Sequence, residues 1–98
     1  ITKKIYMKPR VSVVIPCYNY GNYIEKCIMS VLLQKLDFDI EILVGDDNST
    51  DDSFNIAKRM EKFYESERVK FKIRRNESNL GEINNTKFLL NSSEGEYI

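Results

Sequence analysis

Histidine and tryptophan are both absent from the 98-residue chain. The lack of histidine removes Ser-His-Asp and Cys-His nucleophilic machinery and most zinc sites, leaving acid–base chemistry to carboxylates, Lys or Tyr. Net charge is lacking too, with Lys plus Arg and Asp plus Glu at 15 each. No bulk basic field therefore points to nucleic acid. No apolar run approaches the roughly eighteen residues of a membrane span. The basic opening ITKKIYMKPR has no apolar stretch behind it and does not read as a signal peptide. It starts on Ile, which makes Met7 a candidate internal start. The two cysteines, Cys17 and Cys27, form neither a metal nor a redox spacing, and read as buried, reduced thiols of a cytosolic protein.

What is present is an ordinary globular composition, 42% hydrophobic and 31% charged. The run VSVVI, 11–15, is β-branched and continuous, as expected of a strand buried on both faces and stopped by Pro16. Ile24, Cys27, Ile28, Val31 and Leu32 then form one apolar stripe of a helix over 22–35. DIEILVG, 39–45, predicts a second strand, and Ile56, Met60, Phe63 and Tyr64 a helical stripe over 51–65. VKFKIRR, 69–75, alternates strictly, with Val69, Phe71 and Ile73 inward, as in a sheet-edge strand with one wet face. The loop NESNLG, a third helix in EINNTKFLLNSS and the start of a strand in GEYI complete the chain. Strand and helix thus alternate, which predicts an α/β fold of three α/β/α layers with a mainly parallel sheet ordered 3-2-1-4. The stop at Ile98, inside an expected strand, reads as the end of an N-terminal half.

In such a sheet, ligands bind in the crevice at the carboxyl ends of the strands, where the loops 16–22, 46–52 and 75–81 converge. No G-x-G-x-x-G or P-loop follows the first strand, which disfavours dinucleotide oxidoreductases and P-loop NTPases. The conspicuous feature is GDDNSTDDS, with Asp46, Asp47, Asp51 and Asp52. An EF-hand starting at Asp46 would place Asp51 where Gly is needed and Ala57 where an acid is needed, so the calcium reading fails. Ser49 with Asp52 three residues on resembles a capping box, which accounts for Asp51 and Asp52 as helix starters. Asp46 and Asp47 precede the cap, and strand alternation turns one toward the crevice and the other toward the scaffold. A crevice carboxylate accepts from a ligand N–H such as the imide of uracil. Tyr18 at the tip of the first loop either stacks a base or packs against a neighbouring helix.

The blocks VSVVIPCYNYGNYIEKCIMSVLLQ, FDIEILVGDDNSTDDS, NESNLGEIN and SEGEYI together resemble the start of the inverting glycosyltransferase family 2, in the family's order and spacing. That resemblance implies a Rossmann-like GT-A fold, with 1–10 as an N-terminal extension and 11–98 as the nucleotide-binding part. It implies a transferase moving a sugar from a nucleotide donor, UDP above all, to a carbohydrate or lipid-linked acceptor hydroxyl. By position, Pro16, Cys17, Tyr18 and Asn19 resemble the first nucleotide-binding loop, with Tyr18 against the uracil. Asp47 matches the carboxylate that bonds the base, and Asp46 its loop-positioning neighbour. Asn79 and Gly81 match the N-x-G turn before the third helix. Thr86 and Lys87 stand where many members carry an Arg-Asn pair, so Lys87 replaces Arg's fork by a point charge. The family's Mg²⁺- or Mn²⁺-binding D-x-D is expected just after Ile98 and the catalytic base further on, so no metal or catalytic ligand is expected within this chain. A cytoplasmic setting follows, with membrane association of the whole protein left open. The competing classes are a sugar nucleotidyltransferase, a phosphoacceptor receiver domain and a non-catalytic nucleotide-binding module. The first needs a Gly-rich loop with Arg after strand one, and the second an acid pair ending strand one. The sequence supplies neither.

Overall fold

The structure, a computed structural model, describes residues 9–34 and 37–98. Most of the expected 1–10 extension, with Met7, and the end of the helix expected over 22–35 lie outside those residues. Among the described residues three strands, β1 (Val11–Cys17), β2 (Ile40–Asp46) and β3 (Val69–Arg75), alternate with three helices, α1 (Ile24–Leu32), α2 (Ser53–Tyr64) and α3 (Glu82–Ser92). The strands are parallel and ordered β1-β2-β3, in a register that sets Val44 between Ile15 and Ile73. The α/β class is as the strand–helix alternation requires. Three strands do not decide a four-strand order. On the far side of β1, where GEYI was expected to begin a strand, there is a single parallel bridge between Val11 and Tyr97. It is made by Ser12 N–H donating to the Tyr97 carbonyl at 2.7 Å and Tyr97 N–H to that of Arg10 at 3.0 Å.

Alternation along the strands builds the layers. Ile15, Ile40, Ile42, Val44 and Phe71 form one core with Ile24 and Ile28 of α1 and Ala57 and Met60 of α2. The opposite face carries α3, which packs on β1 and β2. The strand buried throughout is β2, not β1. All seven β2 residues are buried, whereas Val11, Val13, Val14 and Pro16 keep partial exposure. The difference follows from position, because among the described residues β1 has a full-length neighbour on one side only. The same fact explains why Pro16 does not stop the strand. It pairs with Gly45 inside β1. Ser12, of the same parity, directs its N–H away from β2 to Tyr97. Pro16 therefore lacks an N–H only on the open side, where a strand tolerates proline.

β3 alternates as expected at an edge, with Phe71 buried, Val69 and Ile73 half-buried, and Lys70, Lys72 and Arg74 exposed. Two helical stripes need correction. α1 buries Ile24 and Ile28 but leaves Cys27 exposed, so only Cys17 is a buried thiol. α2 buries Ser53, Ala57 and Met60, while Phe63 and Tyr64 are exposed. The inward row of α2 thus runs from the small Ser53 and Ala57 to Met60 rather than through its aromatic residues.

Candidate functional site

The loops leaving the three strands are tied to one another by side chains. Asn19, in the left-handed region at φ 53°, accepts the Thr50 N–H on Oδ1 at 2.9 Å. Its own N–H donates to Ser49 Oγ at 2.9 Å. Tyr20 N–H donates to Ser53 Oγ at 2.9 Å and Gly21 N–H to Asp51 Oδ2 at 3.0 Å. A short polar side chain such as Asn adopts the left-handed conformation at modest cost and can bond locally there.

The acid cluster divides by role. Asp46 is fully buried and accepts the Ser49 N–H at 3.0 Å and the Ser49 hydroxyl at 2.6 Å. Arg75 Nε lies 3.8 Å from it. This geometry overturns the expected Ser49–Asp52 capping box, because the Ser49 hydroxyl is bound to Asp46 and Asp52 makes no side-chain cap bond. The helix start is held instead by Asp51, which accepts the Ser53 N–H at 3.0 Å and the Ser53 hydroxyl. The Ser53 hydroxyl, with the amides of Ser53 and Gly21, holds the Asp51 carboxyl below its usual range against the effect of burial.

Asp47 is 3% exposed and yet accepts only from uncharged donors. Its Oδ1 takes Asn76 Nδ2–H at 2.9 Å and Leu80 N–H at 2.7 Å, and its Oδ2 takes Gly81 N–H at 2.9 Å. Burial pushes this carboxyl up, but the Leu80 amide, Asn76 and the Gly81 amide outweigh it and hold the pKa below 3.8. Gly81, at φ +86°, turns the chain into α3 in a conformation that favours glycine. Asn79 Nδ2–H donates to the Asp47 carbonyl at 3.3 Å.

These loops surround a cleft of about 450 Å³ lined by Pro16, Cys17, Tyr18, Tyr20, Asp47, Asn79, Gly81, Glu82 and Asn85. Six residues singled out in the sequence are thus brought together: Pro16, Cys17, Tyr18, Asp47, Asn79 and Gly81. Tyr18 is 48% exposed on this wall. Asn19 and Asp46 are not in the lining and act by tying the loops. Lys87 is exposed on α3 and does not line the cleft. Burial pushes the Cys17 thiol up to about 11, with Asp46 adding to the rise and a Ser53 contact opposing it. Cys17 is therefore an inert wall residue rather than a nucleophile.

Sequence reasoning missed Asn76 and Asn85. Both are buried, and Asn76 Nδ2 also donates to Asn85 Oδ1 at 3.1 Å, while Asn85 Nδ2 donates to the Gly45 carbonyl at 2.8 Å. The available signal was Asn85 itself, since Asn inside a helix is unfavourable unless its side chain has a task. Among the described residues no group of three or more His, Cys, Asp or Glu is placed to hold a metal ion. The buried carboxylates explain why: Asp46 is taken up by Ser49 and Arg75, and Asp47 by three donors. No helix among the described residues is long and apolar enough to cross a membrane.

A parallel α/β sheet whose strand ends wall a cleft with a tyrosine and a clamped aspartate is a Rossmann-like arrangement. The sequence model of glycosyl transferase family 2 matches residues 12–98. The chain belongs to that family. It is 34% identical over 91 residues to the GalNAc(5)-diNAcBac-PP-undecaprenol beta-1,3-glucosyltransferase of Campylobacter jejuni, covering 92% of this chain and 28% of that protein. It is 38% identical over 78 residues to the chondroitin synthase of Escherichia coli, covering 80% of this chain and 11% of that protein. The chain thus spans under a third of the length of either relative. Among solved structures, S. aureus TarS (residues 1–349) superposes with a TM-score of 0.73 at 28% identity, over 91% of this chain and 26% of that one. The mannosyltransferase PcManGT of Pyrobaculum calidifontis, in complex with GDP-Man and Mn²⁺, superposes with a TM-score of 0.78 at 24% identity, over 92% and 26%. At that identity the likeness concerns the fold, which is of GT-A type.

Proposed function

We propose that this chain is the donor-nucleotide-binding part of a glycosyltransferase that uses a UDP-sugar and inverts the anomeric centre. The observation that carries the reading is the Asp47 carboxylate, held ionised by three donors on the same cleft wall system as the exposed ring of Tyr18. Tyr18 stacks the base, Asp47 accepts its imide N–H, and Pro16, Cys17, Asn79 and Gly81 shape the space between. Asn19 and Asp46 hold the loops in register, and Lys87 lies outside the cleft as a point charge on α3. In the whole protein a carboxylate base elsewhere takes the proton of an acceptor hydroxyl. Its oxygen attacks the anomeric carbon as the nucleoside diphosphate leaves from the opposite face. The acceptor is a carbohydrate or lipid-linked glycan, in keeping with the names of the Campylobacter and Escherichia relatives. A divalent Mg²⁺ or Mn²⁺ supplies positive charge to the diphosphate when bound, on residues other than those described. The setting is the cytoplasmic side of the cell.

Titrating the ¹⁵N-labelled chain with UDP tests this reading. Amide shifts are expected at Tyr18, Asp47, Leu80 and Gly81. Stacking of about 1–3 kcal/mol and one charged hydrogen bond leave an affinity of roughly millimolar after the cost of association. Shifts confined to other parts of the chain, or none at 10-fold that concentration, would overturn it.

A further inference from the structure

We infer that Asn76 is a positioning residue that fixes how many donors Asp47 can accept from a bound base, and thereby sets the choice between bases. A carboxylate offers about four acceptor positions, two on each oxygen. On Asp47, Oδ1 is filled by Asn76 Nδ2–H at 2.9 Å and Leu80 N–H at 2.7 Å. Oδ2 accepts Gly81 N–H at 2.9 Å, which leaves one position open. Asn76 cannot turn its amide away. Its Oδ1 accepts Arg74 Nε–H at 3.0 Å, its other Nδ2 hydrogen goes to Asn85 Oδ1 at 3.1 Å, and its N–H goes to the Asp46 carbonyl at 2.8 Å. With 2% exposure, Asn76 has no water to replace any of these partners.

One open acceptor suits a base edge with a single N–H between two carbonyl oxygens, as in uracil. It does not suit an edge with two adjacent N–H donors, as in guanine, whose second donor meets an oxygen already full. The inference rests on the reading of the cleft as a nucleotide-base site, and adds that the discriminating group is not in the cleft lining but behind it. Removing the Asn76 amide frees Asp47 Oδ1 from the buried side, so that the carboxylate can turn both oxygens toward the cleft and admit the two-donor edge.

The test is a set of parallel NMR titrations of the chain with UDP and with GDP. It compares the unaltered protein with Asn76→Ala and with Asn76→Ser, whose hydroxyl is too short to reach Asp47 and which serves if the alanine variant fails to fold. The UDP-over-GDP preference is expected to fall about tenfold in the Asn76 variants, the factor carried by one charge-assisted hydrogen bond. Leu89→Ala, which removes buried apolar contact beneath α3, controls for plain destabilisation. It lowers the melting temperature and leaves the ratio unchanged. A preference retained in both Asn76 variants, with the unaltered chain still favouring UDP, overturns the role of Asn76 alone. An unaltered chain without a UDP preference overturns the base reading and this assignment with it.

Discussion

Asn85 fills the space in which a side chain on Gly45 would stand. A Cβ built on Gly45 would lie 2.6 Å from Asn85 Oδ1 and 3.0 Å from Leu89 Cδ2, while Asn85 Nδ2 donates to the Gly45 carbonyl at 2.8 Å. The absence of a side chain on β2 is therefore what seats α3 on the sheet. Gly45→Ala is expected to destabilise the fold by about 1–3 kcal/mol, the usual cost of overpacking. Urea denaturation would show a lowered midpoint at unchanged slope. An unchanged midpoint would mean that α3 is not pinned at this point.

Asp47→Asn and Asp52→Asn separate binding from helix support. The Asp47 variant faces three fixed donors with a neutral amide that brings two donors of its own. It is expected to lose about 1–3 kcal/mol of stability, and to bind UDP more weakly in the same titration. Asp52 is exposed and makes no side-chain cap bond, so Asp52→Asn is expected to cost only about 0.3 kcal/mol through the helix dipole. Equal binding losses in the two variants would remove Asp47 from the base site.

Acid sensitivity follows from the same carboxylates. Asp47 and Asp51 both titrate below 3.8 in the folded chain, each held down by donors that the unfolded chain lacks. Their contribution is fully present above that unfolded value and is lost as pH falls through the folded values. Stability measured by denaturant midpoint is expected to be level down to about pH 4 and to drop steeply below it. Asp47→Asn flattens part of that drop. A variant as acid-sensitive as the parent would show that Asp47 is not a contributor.

The thiols are expected to report folding. Cys27 is exposed and Cys17 buried, with its thiol pushed up to about 11. A thiol reagent at pH 8 should modify one cysteine per chain at once and the second only on unfolding. Mass spectrometry would place the fast label on Cys27. Prompt double labelling would contradict the burial of Cys17.

Much of the frame was legible because it follows from periodicity. The strict alternation of VKFKIRR gave an edge strand with Phe71 inward, and the structure has it there. The run of aspartates could be placed at the mouth of the sheet because a strand ends where its apolar pattern does. Polar burial was not legible. In DIEILVG, Glu41 reads as a solvent-facing residue, yet it is 1% exposed, accepts the Glu94 N–H at 3.0 Å and has Lys72 Nζ at 3.4 Å. Its partners are 53 and 31 residues away in sequence, beyond any local pattern. The same holds for Asn76 and Asn85: Asn76 meets Asp47 only through the pairing of β2 with β3, and Asn85 meets Gly45 only once α3 is laid on β2. Sequence could mark Asp47 as a group in need of an explanation, but not Asn76, the asparagine that bonds its carboxylate.

Pro16 has a further effect at the rim. Along the outer side of β1, the Ser12 N–H goes to the Tyr97 carbonyl, and Val14 shares its parity, but Pro16 has no N–H. Pairing that continues from Tyr97 along this side finds the Val14 N–H next, and then no donor at the level of Pro16. One ladder bond is lost there, at the height where Pro16 itself lines the cleft. A ring closure on one backbone nitrogen thus removes one rung of the outer ladder of β1 beside the cleft.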